Sequence, residues 1–413
     1  MKKILSRAFR LIKRIGRTVL PLSLYERLRS WFFRVFVFRN KKISKISYPN
    51  LQQGVNLFIY CMNNSAGIEG HLLELALEDA QIPYNVIDLS APEKFKEEMK
   101  GKPLYNVNLI VCHAASKTHE VIRLLGLDLK RHYNICYWAW ELSEVPDEYC
   151  AWLSIFQEVW TLSAFCTSAL EKKAAIPVLT VPLYANPDVS VIKNGRDYYN
   201  IDQNAFLFML AYDCNSFVAR KNPQAAVQAY MKAFSPQESS VGLVLKLAYP
   251  DYYKDHILEI KKMLELYPNI YFIDKYLSDV EMRTLIQLSD TYVSLHRSEG
   301  FGLVPLEAMA LGTPVICTAW SGNMEYMTHM NAALVGYQMV PVEGRYVGSY
   351  PGDGLVWADP DVNEASAHMR RMISDQAWRE SLIANGKYTA ESCYGVANIS
   401  KIMRNRLERL KMI

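Results

Sequence analysis

Residues 291–310, TYVSLHRSEGFGLVPLEAMA, contain an apolar run, a glycine-bearing loop and a second apolar run. The first run, 291–295, is typical of a buried parallel strand, and residues 303–311 are expected to form a helix. Gly300 and Gly302 let the backbone turn sharply and approach a ligand where a Cβ atom would collide. The start of a helix presents unpaired N–H groups and the positive end of its dipole, which together bind phosphate. The segment therefore predicts a phosphate-binding unit.

Two carboxylates flank this unit, Glu299 in the loop and Glu307 in the helix. Like charges at a phosphate site repel the ligand unless they face hydroxyl groups, from which a carboxylate accepts strong hydrogen bonds. A diphosphate between a hexose and a ribose satisfies both carboxylates. The pattern indicates a nucleotide sugar, and the alternative is a solvated acidic loop.

Cations for the diphosphate are available in two places. Arg220 and Lys221 follow the first strand of the second half, and Lys246 lies near the end of the next strand. These side chains could neutralise a leaving nucleoside diphosphate, although surface charge is the alternative interpretation. The sequence has no DxD-like carboxylate pair at this point, so we predict no metal and no cofactor beyond the nucleotide sugar itself.

Strand-like and helix-like segments alternate on both sides of the unit. The pattern indicates two Rossmann-like, doubly wound α/β domains facing a cleft, with ligands at the carboxyl ends of the strands. A polar, turn-rich stretch at 183–203 separates the two halves. Strands are predicted at 55–61, 82–89, 108–112, 134–138, 158–162, 177–181, 205–210, 242–247, 270–273, 291–295 and 314–317, and helices at 69–80, 222–234, 256–266, 278–289, 303–311 and 398–412.

The composition fits a globular, soluble protein, with 50% hydrophobic and 21% charged residues among 413. The eight cysteines include no CxxC spacing, which argues against zinc knuckles and dithiol redox centres and for a reducing, cytosolic setting.

The first 45 residues form a basic arm. They contain 14 Lys and Arg against Glu26 alone, a net charge of +13. Since the whole chain carries +4, residues 46–413 carry −9. Apolar residues recur in the arm at three- and four-residue intervals opposite a basic face, the pattern of an amphipathic helix. No run reaches the roughly 20 apolar residues of a membrane span. We expect attachment to an anionic membrane surface; a packed helical extension and nucleic-acid binding are the alternatives.

Several blocks of the sequence resemble the retaining glycosyltransferases of family 4, which have the GT-B fold. The donor-side blocks are RKNP at 220–223, the segment 296–310 and SGNME at 321–325. The blocks YWAWEL at 137–142 and EVWTLS at 158–163 are similar to a subgroup active on bacterial surface polysaccharides. The resemblance covers about residues 54–395.

The resemblance implies a role for each matching position. Lys221, with Arg220, would contact the diphosphate, Glu299 the transferred hexose and Glu307 the ribose. The remaining donor-binding positions that it implies are Gly300, Phe301, Gly302 and Leu303 around the sugar and phosphates, Lys275 and Leu277 around the base, and Gly67 and Gly70 in a loop closing over the diphosphate. Glu69, between those two glycines, departs from the family pattern, because a carboxylate near a diphosphate is unfavourable. The family uses no obvious protein nucleophile.

Catalytic candidates in the first half are His113 and Glu141. His113 ends a strand at the cleft, where some relatives use a histidine on the sugar or acceptor; a structural histidine is the alternative. Glu141 follows Trp138 and Trp140, whose rings could stack on a sugar or pack in the core.

The sequence thus predicts a basic arm (1–45), an acceptor domain (46–190), a donor domain (191–385) and a C-terminal helix (386–413) that crosses back. The expected function is metal-independent, retaining transfer of a hexose to a glycan or lipid-linked acceptor at the cytoplasmic face of the membrane. A nucleotide-sugar isomerase and a non-catalytic sugar-nucleotide-binding subunit are the alternatives.

Overall fold

The structure is a computed structural model. It describes residues 51–413 except 61–64, 92–93, 112–128, 147–149, 151–152, 154, 186–194, 215, 343–344, 347–349 and 352–353. The predicted basic arm and His113 lie outside the described residues. Among the residues that are described, no helix is long and apolar enough to cross a membrane.

The first half contains a six-stranded sheet in which all neighbouring strands are parallel. The strands lie in the order β2-β1-β3-β4-β5-β6. Their bounds are Gln52–Ile59 (β1), Tyr84–Asp88 (β2), Tyr105–Val111 (β3), Tyr133–Trp138 (β4), Glu158–Thr161 (β5) and Val178–Thr180 (β6). The helices described in this half are Ser65–Asp79 (α1), Phe95–Glu98 (α2) and Ala164–Glu171 (α3).

A row of asparagines crosses four strands of this sheet. Asn85, Asn56, Asn108 and Asn134 are register partners on β2, β1, β3 and β4. The Asn56 amide donates to Asn108 at 2.9 Å, and the Asn108 amide donates to Asn134 at 2.9 Å. Buried amides are tolerated only when they are hydrogen-bonded. The row therefore fixes the register of these strands, since slipping one strand would leave buried amides without partners.

The second half repeats the architecture with a different strand order. Its six strands, all parallel, lie in the order β12-β11-β10-β7-β8-β9. The order reverses between β7 and β10, and open α/β sheets bind ligands in the crevice at such a point. The strands are Phe206–Asp213 (β7), Val241–Ala248 (β8), Ile270–Ile273 (β9), Thr291–Ser294 (β10), Val315–Thr318 (β11) and Ala333–Val335 (β12).

Among the described residues, the second half has more helices than the first and two added hairpins. The helices are Val218–Lys221 (α4), Pro223–Ala233 (α5), Lys254–Met263 (α6), Asp279–Gln287 (α7), Leu303–Ala310 (α8), Val362–Ser374 (α9), Gln376–Tyr388 (α10) and Val396–Arg409 (α11). Two antiparallel strand pairs follow β12, namely Tyr337–Pro341 (β13) with Val356–Pro360 (β16), and Arg345–Tyr346 (β14) with Tyr350–Pro351 (β15).

Most predicted elements have a counterpart in the structure. Every strand and helix predicted between residues 55 and 412 is present, with ends that agree to within four residues. The strand β12, the two hairpins and the helices α2, α3, α4, α9 and α10 are not among the predicted elements. The sequence therefore indicates the α/β class and most strands of both sheets, but not the short helices or most of the segment between β11 and α11.

The C-terminal helix α11 packs against the first half. Arg404 donates from Nε to the Ala80 carbonyl at 2.9 Å, and the Asn106 amide donates to the Met412 carbonyl at 3.1 Å. Arg406 Nε lies 3.0 Å from both oxygens of Glu158, whose side chain is fully buried on β5. This ion pair joins the last helix of the chain to the sheet formed by the first half.

Replacing Arg406 with Ala should lower the free energy of unfolding by about 3 kcal/mol, because Glu158 would remain buried without its cation. Tyr133 and Trp160 would still donate hydrogen bonds to the Glu158 carboxylate. The expected loss is therefore at the lower end of the range of about 3 to 5 kcal/mol for breaking a buried ion pair. Urea denaturation followed by tryptophan fluorescence measures the change. Arg409→Ala, an exposed position on α11, is the control and should change the free energy by at most about 0.5 kcal/mol. Equal losses in the two variants would contradict the role of the pair.

Candidate functional site

A cavity of about 320 Å³ lies between the two halves of the chain. Its wall includes Glu69, Glu141 and Leu162 from the first half. The second half contributes the loops after β7 and β10, the two strands that flank the reversal of strand order. The cavity is therefore at the carboxyl edge where this fold binds ligands.

The loop after β7 brings two cations to the cavity. Arg220 and Lys221 form the last turn of the short helix α4, and Asn222 then adopts a left-handed conformation with φ +50°. Asparagine tolerates this conformation better than most residues. Pro223 follows as the first residue of α5, where its missing N–H costs no hydrogen bond. The local sequence thus ends one helix, begins the next and leaves both cations on the cavity wall.

The loop after β10 brings a carboxylate to the same wall. Glu299 Oε2 lies 3.1 Å from Arg220 Nη1, and Glu299 Oε1 lies 2.5 Å from Lys221 Nζ. The Arg220 guanidinium also donates to the Ser298 carbonyl at 2.8 Å and lies 3.5 Å from Glu141 Oε1. Arg220 therefore connects the loop after β10 with the first half of the chain.

Close backbone packing holds the glycine loop in place. Gly302, with φ +82°, immediately precedes α8 and directs the start of that helix to the cavity. A Cβ atom on Gly322 would lie 2.0 Å from the Gly300 carbonyl oxygen. Gly322 N donates to the Glu299 carbonyl at 2.9 Å, and Glu299 N donates to Ser321 Oγ at 2.8 Å. The SGNME segment thus holds the glycine loop through two hydrogen bonds to the backbone of Glu299. Only glycine fits at position 322, because any Cβ atom there would collide with the Gly300 carbonyl.

Residues of the first half also form hydrogen bonds with the glycine loop. Ser163 Oγ donates to the Gly300 carbonyl at 2.6 Å, and Cys166 lies 3.3 Å from the same oxygen. The Ser298 hydroxyl donates to the Glu141 carbonyl. Ala164 N, at the start of α3, donates to the Glu325 carboxylate at 2.6 Å. Residues of both halves therefore determine where the loop lies.

Burial and neighbouring charges act in opposite directions on Glu299. Burial by itself would raise the pKa of Glu299, but Lys221 and Arg220 hold that pKa at about 2. Burial raises the pKa of Glu307 to about 7, against the opposing effect of Arg283 on α7. The two carboxylates of the motif thus differ, because Glu299 is ionised at neutral pH and Glu307 is close to half protonated.

The structure brings together only some of the predicted site residues. The cavity wall contains Glu141, Arg220, Lys221, Glu299, Gly300, Phe301, Gly302 and Leu303. The predicted positions outside its lining are Gly67, Gly70, Lys246, Lys275, Leu277 and Glu307. Their roles, and that of His113, stay predictions.

The positions outside the lining have contacts of their own. A Cβ atom on Gly70 would lie 2.6 Å from Ile59, so this glycine lets α1 pack against β1. Lys246 Nζ donates to the Leu247 carbonyl at 2.7 Å, and β8 continues two residues beyond it. Lys275 Nζ lies 4.7 Å from the centre of the Tyr198 ring, whereas Leu277 is buried in the core.

The indoles of Trp138 and Trp140 belong to the core, at 3% and 2% exposure, so the interpretation as a sugar-stacking platform is wrong. The two rings pack edge to face with 6.1 Å between their centres, and Trp140 Nε1 donates to the Glu144 carbonyl at 2.9 Å. Within the block 137–142, the residues that line the cavity are Ala139 and Glu141, which flank Trp140 in sequence.

Sequence reasoning missed several polar residues on the cavity wall, among them Glu69, Tyr212 and Asn222. Glu69 on α1 lines the cavity, although its charge argued against a place near a diphosphate. Tyr212 and the side chain of Asn222 also line it. The left-handed backbone at Asn222 follows from the Lys-Asn-Pro sequence, but the direction of its side chain does not.

Comparisons with known proteins show which family and which fold the chain resembles. Residues 215–389 match the family described as "Glycosyl transferases group 1". The O-antigen chain mannosyltransferase B of Escherichia coli is 30% identical over 124 residues, which is 29% of this chain and 26% of that protein. The chain spans less than half the length of the curated relatives that it matches.

Two solved structures resemble the whole fold. Sucrose-phosphate synthase from Thermosynechococcus elongatus superposes with a TM-score of 0.63 at 16% identity, over 87% of this chain and 99% of that one. HepE from Anabaena, solved in complex with UDP and glucose, superposes with a TM-score of 0.59 at 14% identity, over 86% and 100%. The chain therefore has the GT-B fold, and its residues 215–389 match the glycosyl transferases group 1 family.

The buried His296, beside this site, should make stability depend on pH. Burial lowers the pKa of His296 from 6.5 to about 4. Between these values the unfolded chain binds a proton that the folded chain excludes, so the contribution of His296 to the free energy of unfolding falls as the pH falls, whereas the raised pKa of Glu307 acts in the opposite direction. At about 1.4 kcal/mol for each pH unit, the loss reaches about 3 kcal/mol.

Urea denaturation between pH 7.5 and 4.5 measures this dependence. As the pH falls, the free energy of unfolding of the unaltered chain should fall relative to that of His296→Gln, whereas His71→Gln, at an exposed position, should follow the unaltered chain. The same slope in His296→Gln as in the unaltered chain would show that this histidine does not cause the loss.

Proposed function

We propose that the protein is a glycosyltransferase that moves a hexose from a nucleotide diphosphate sugar to a glycan or lipid-linked acceptor. One observation carries this proposal: Arg220, Lys221 and Glu299 meet in a cavity at the reversal of strand order. The match to the glycosyl transferases group 1 family and the similarity to an O-antigen mannosyltransferase support it.

The diphosphate would bind to Arg220, Lys221 and the start of α8. A guanidinium and an ammonium stabilise the charge that develops on a leaving nucleoside diphosphate, and a helix N-terminus adds to this effect. Both cations already contact Glu299, so their net charge toward a ligand is small until a diphosphate moves them. We therefore infer that the donor reorganises this cluster on binding, without a metal.

The carboxylates would position the two sugars of the donor. Glu299, ionised between its cations, would accept hydrogen bonds from the hexose, and Glu307 from the ribose. Lys275 and Leu277 would contact the base, and Gly67 and Gly70 would lie near the diphosphate. Lys246, on β8, would add positive charge near the diphosphate. These contacts require movement from the arrangement described here, because none of these five residues lines the cavity, and neither does Glu307.

The acceptor would enter from the first half, where Glu141 lines the cavity and His113 follows β3 in sequence. The resemblance to family 4 favours retention of the anomeric configuration without a protein nucleophile. Similarity to O-antigen enzymes favours surface polysaccharide or glycoconjugate synthesis.

Lys221→Ala should weaken binding of UDP or GDP by about 10- to 100-fold, because it removes one charge-assisted contact to phosphate. Glu299→Gln should reduce the rate of sugar transfer more than it reduces nucleotide affinity. Calorimetric titration with UDP, GDP and their sugar derivatives, and transfer to a lipid-linked glycan pool with and without EDTA, measure these effects.

The control is Lys232→Ala, an exposed lysine near the end of α5. Wild-type affinity and transfer in both Lys221→Ala and Glu299→Gln would refute the assigned site. Turnover of a sugar nucleotide without any acceptor would instead indicate an isomerase, and binding without turnover a non-catalytic subunit.

Residues 1–45 would attach the enzyme to the cytoplasmic face of the membrane. Their net charge of +13 contrasts with −9 for the remaining chain, so the attraction to anionic lipid is confined to the arm. Each basic residue near such a surface contributes about 1 kcal/mol at physiological ionic strength.

The full chain should co-sediment with vesicles that contain phosphatidylserine and not with pure phosphatidylcholine vesicles. Changing Lys3, Arg7, Arg10 and Lys13 to Glu should abolish this binding. The same change at four exposed lysines elsewhere should preserve it; these are Lys100, Lys102, Lys232 and Lys401. Binding that survives the four changes in the arm would exclude electrostatic attachment through it.

A further inference from the structure

Charges of opposite sign come to the cavity from different halves of the chain. The second half supplies Arg220 and Lys221, whereas the first half supplies Glu69 and Glu141. Building on the proposed function, we propose that the cavity selects a donor sugar that carries no carboxylate, and that Glu69 is a residue that enforces this selection.

Two buried hydrogen-bond donors indicate where the anionic part of the ligand lies. The Tyr212 hydroxyl and the Asn222 amide nitrogen have no hydrogen-bond partner, although their residues are only 6% and 5% exposed. Both residues line the cavity beside Lys221. An unpaired buried donor is costly, and phosphate oxygens are acceptors of the kind these groups lack. The cations Arg220 and Lys221 therefore place the diphosphate on the wall formed by the second half, and the buried donors of Tyr212 and Asn222 would reach it after a movement of their side chains.

The sugar end of the donor must then face the remaining polar groups of the wall. Glu69 is 7% exposed and is held on α1, whose fourth and fifth residues border the cavity. Glu141 lies on the loop after β4, 3.5 Å from Arg220. Glu299 is the third carboxylate, and both cations of the wall contact it. Among the described lining residues, carboxylates thus outnumber cations by three to two.

Carboxylates discriminate sharply between the possible sugars. They accept hydrogen bonds from hydroxyl and ammonium groups, but they repel another carboxylate. In a cavity that excludes much of the solvent this repulsion is poorly screened. A neutral hexose or an amino sugar therefore fits beside Glu69 and Glu141, whereas a uronic acid does not.

Matched donor pairs test the selection. UDP-glucose with UDP-glucuronate, and GDP-mannose with GDP-mannuronate, differ only in the carboxylate on the sugar. In the pair whose nucleotide, UDP or GDP, the protein binds, the neutral donor should bind at least about tenfold more tightly than the uronate donor by calorimetry. Glu69→Gln should narrow that ratio, and its far-UV circular dichroism should match that of the unaltered chain, which reports that the variant is folded.

Glu74→Gln is the matched control, since it removes the same charge from the same helix at a position outside the cavity lining. Equal affinities within a donor pair, or a ratio that Glu69→Gln does not alter, would overturn the selection while nucleotide binding still supports the proposed function. Absence of binding by UDP, GDP and all four sugar nucleotides would overturn both.

Discussion

The arrangement of the cleft depends on one buried cluster, the Glu299 carboxylate between Arg220 and Lys221. None of these charges is stable alone at this position, because burial penalises each of them. Together they hold the pKa of Glu299 at about 2 and tie the loop after β10 to the loop after β7. These loops follow β7 and β10, the two strands between which the strand order reverses. The cluster therefore joins the two loops that form the cavity wall at the carboxyl edge of the sheet.

The same loop joins the two halves of the molecule. The Gly300 carbonyl accepts a hydrogen bond from Ser163, and the segment around Gly322 packs so closely that no larger residue fits there. One hydrophobic cluster includes both first-sheet residues and second-half residues such as Phe301 and Leu306. A displacement of either half would therefore be transmitted directly to the backbone that borders the cavity.

The site was predictable where chemistry is local in sequence. The glycine loop, the helix start and the Arg-Lys pair each follow from a few adjacent residues, and the structure places them on one wall. Glu307 and Lys246 were assigned from their positions in a helix and a strand, yet neither lines the cavity. The pattern of apolar residues along the chain predicts which helix or strand contains a residue. The direction of its side chain depends on how that element packs against the rest of the protein. Glu69 shows the converse, since a charge that argued against the site lies on its wall.

The sequence by itself determined the fold class, because continuous apolar runs separated by helical segments can be buried only as parallel sheets covered on both faces. It also determined the glycine loop before α8, since glycine and proline act through their own backbone geometry. Only the tertiary structure decided the strand order, the asparagine row across β2, β1, β3 and β4, and the return of α11 to Glu158. The physical reason is that these features join residues far apart in the chain, and their energy arises only when burial removes the alternative of hydrogen bonding to water.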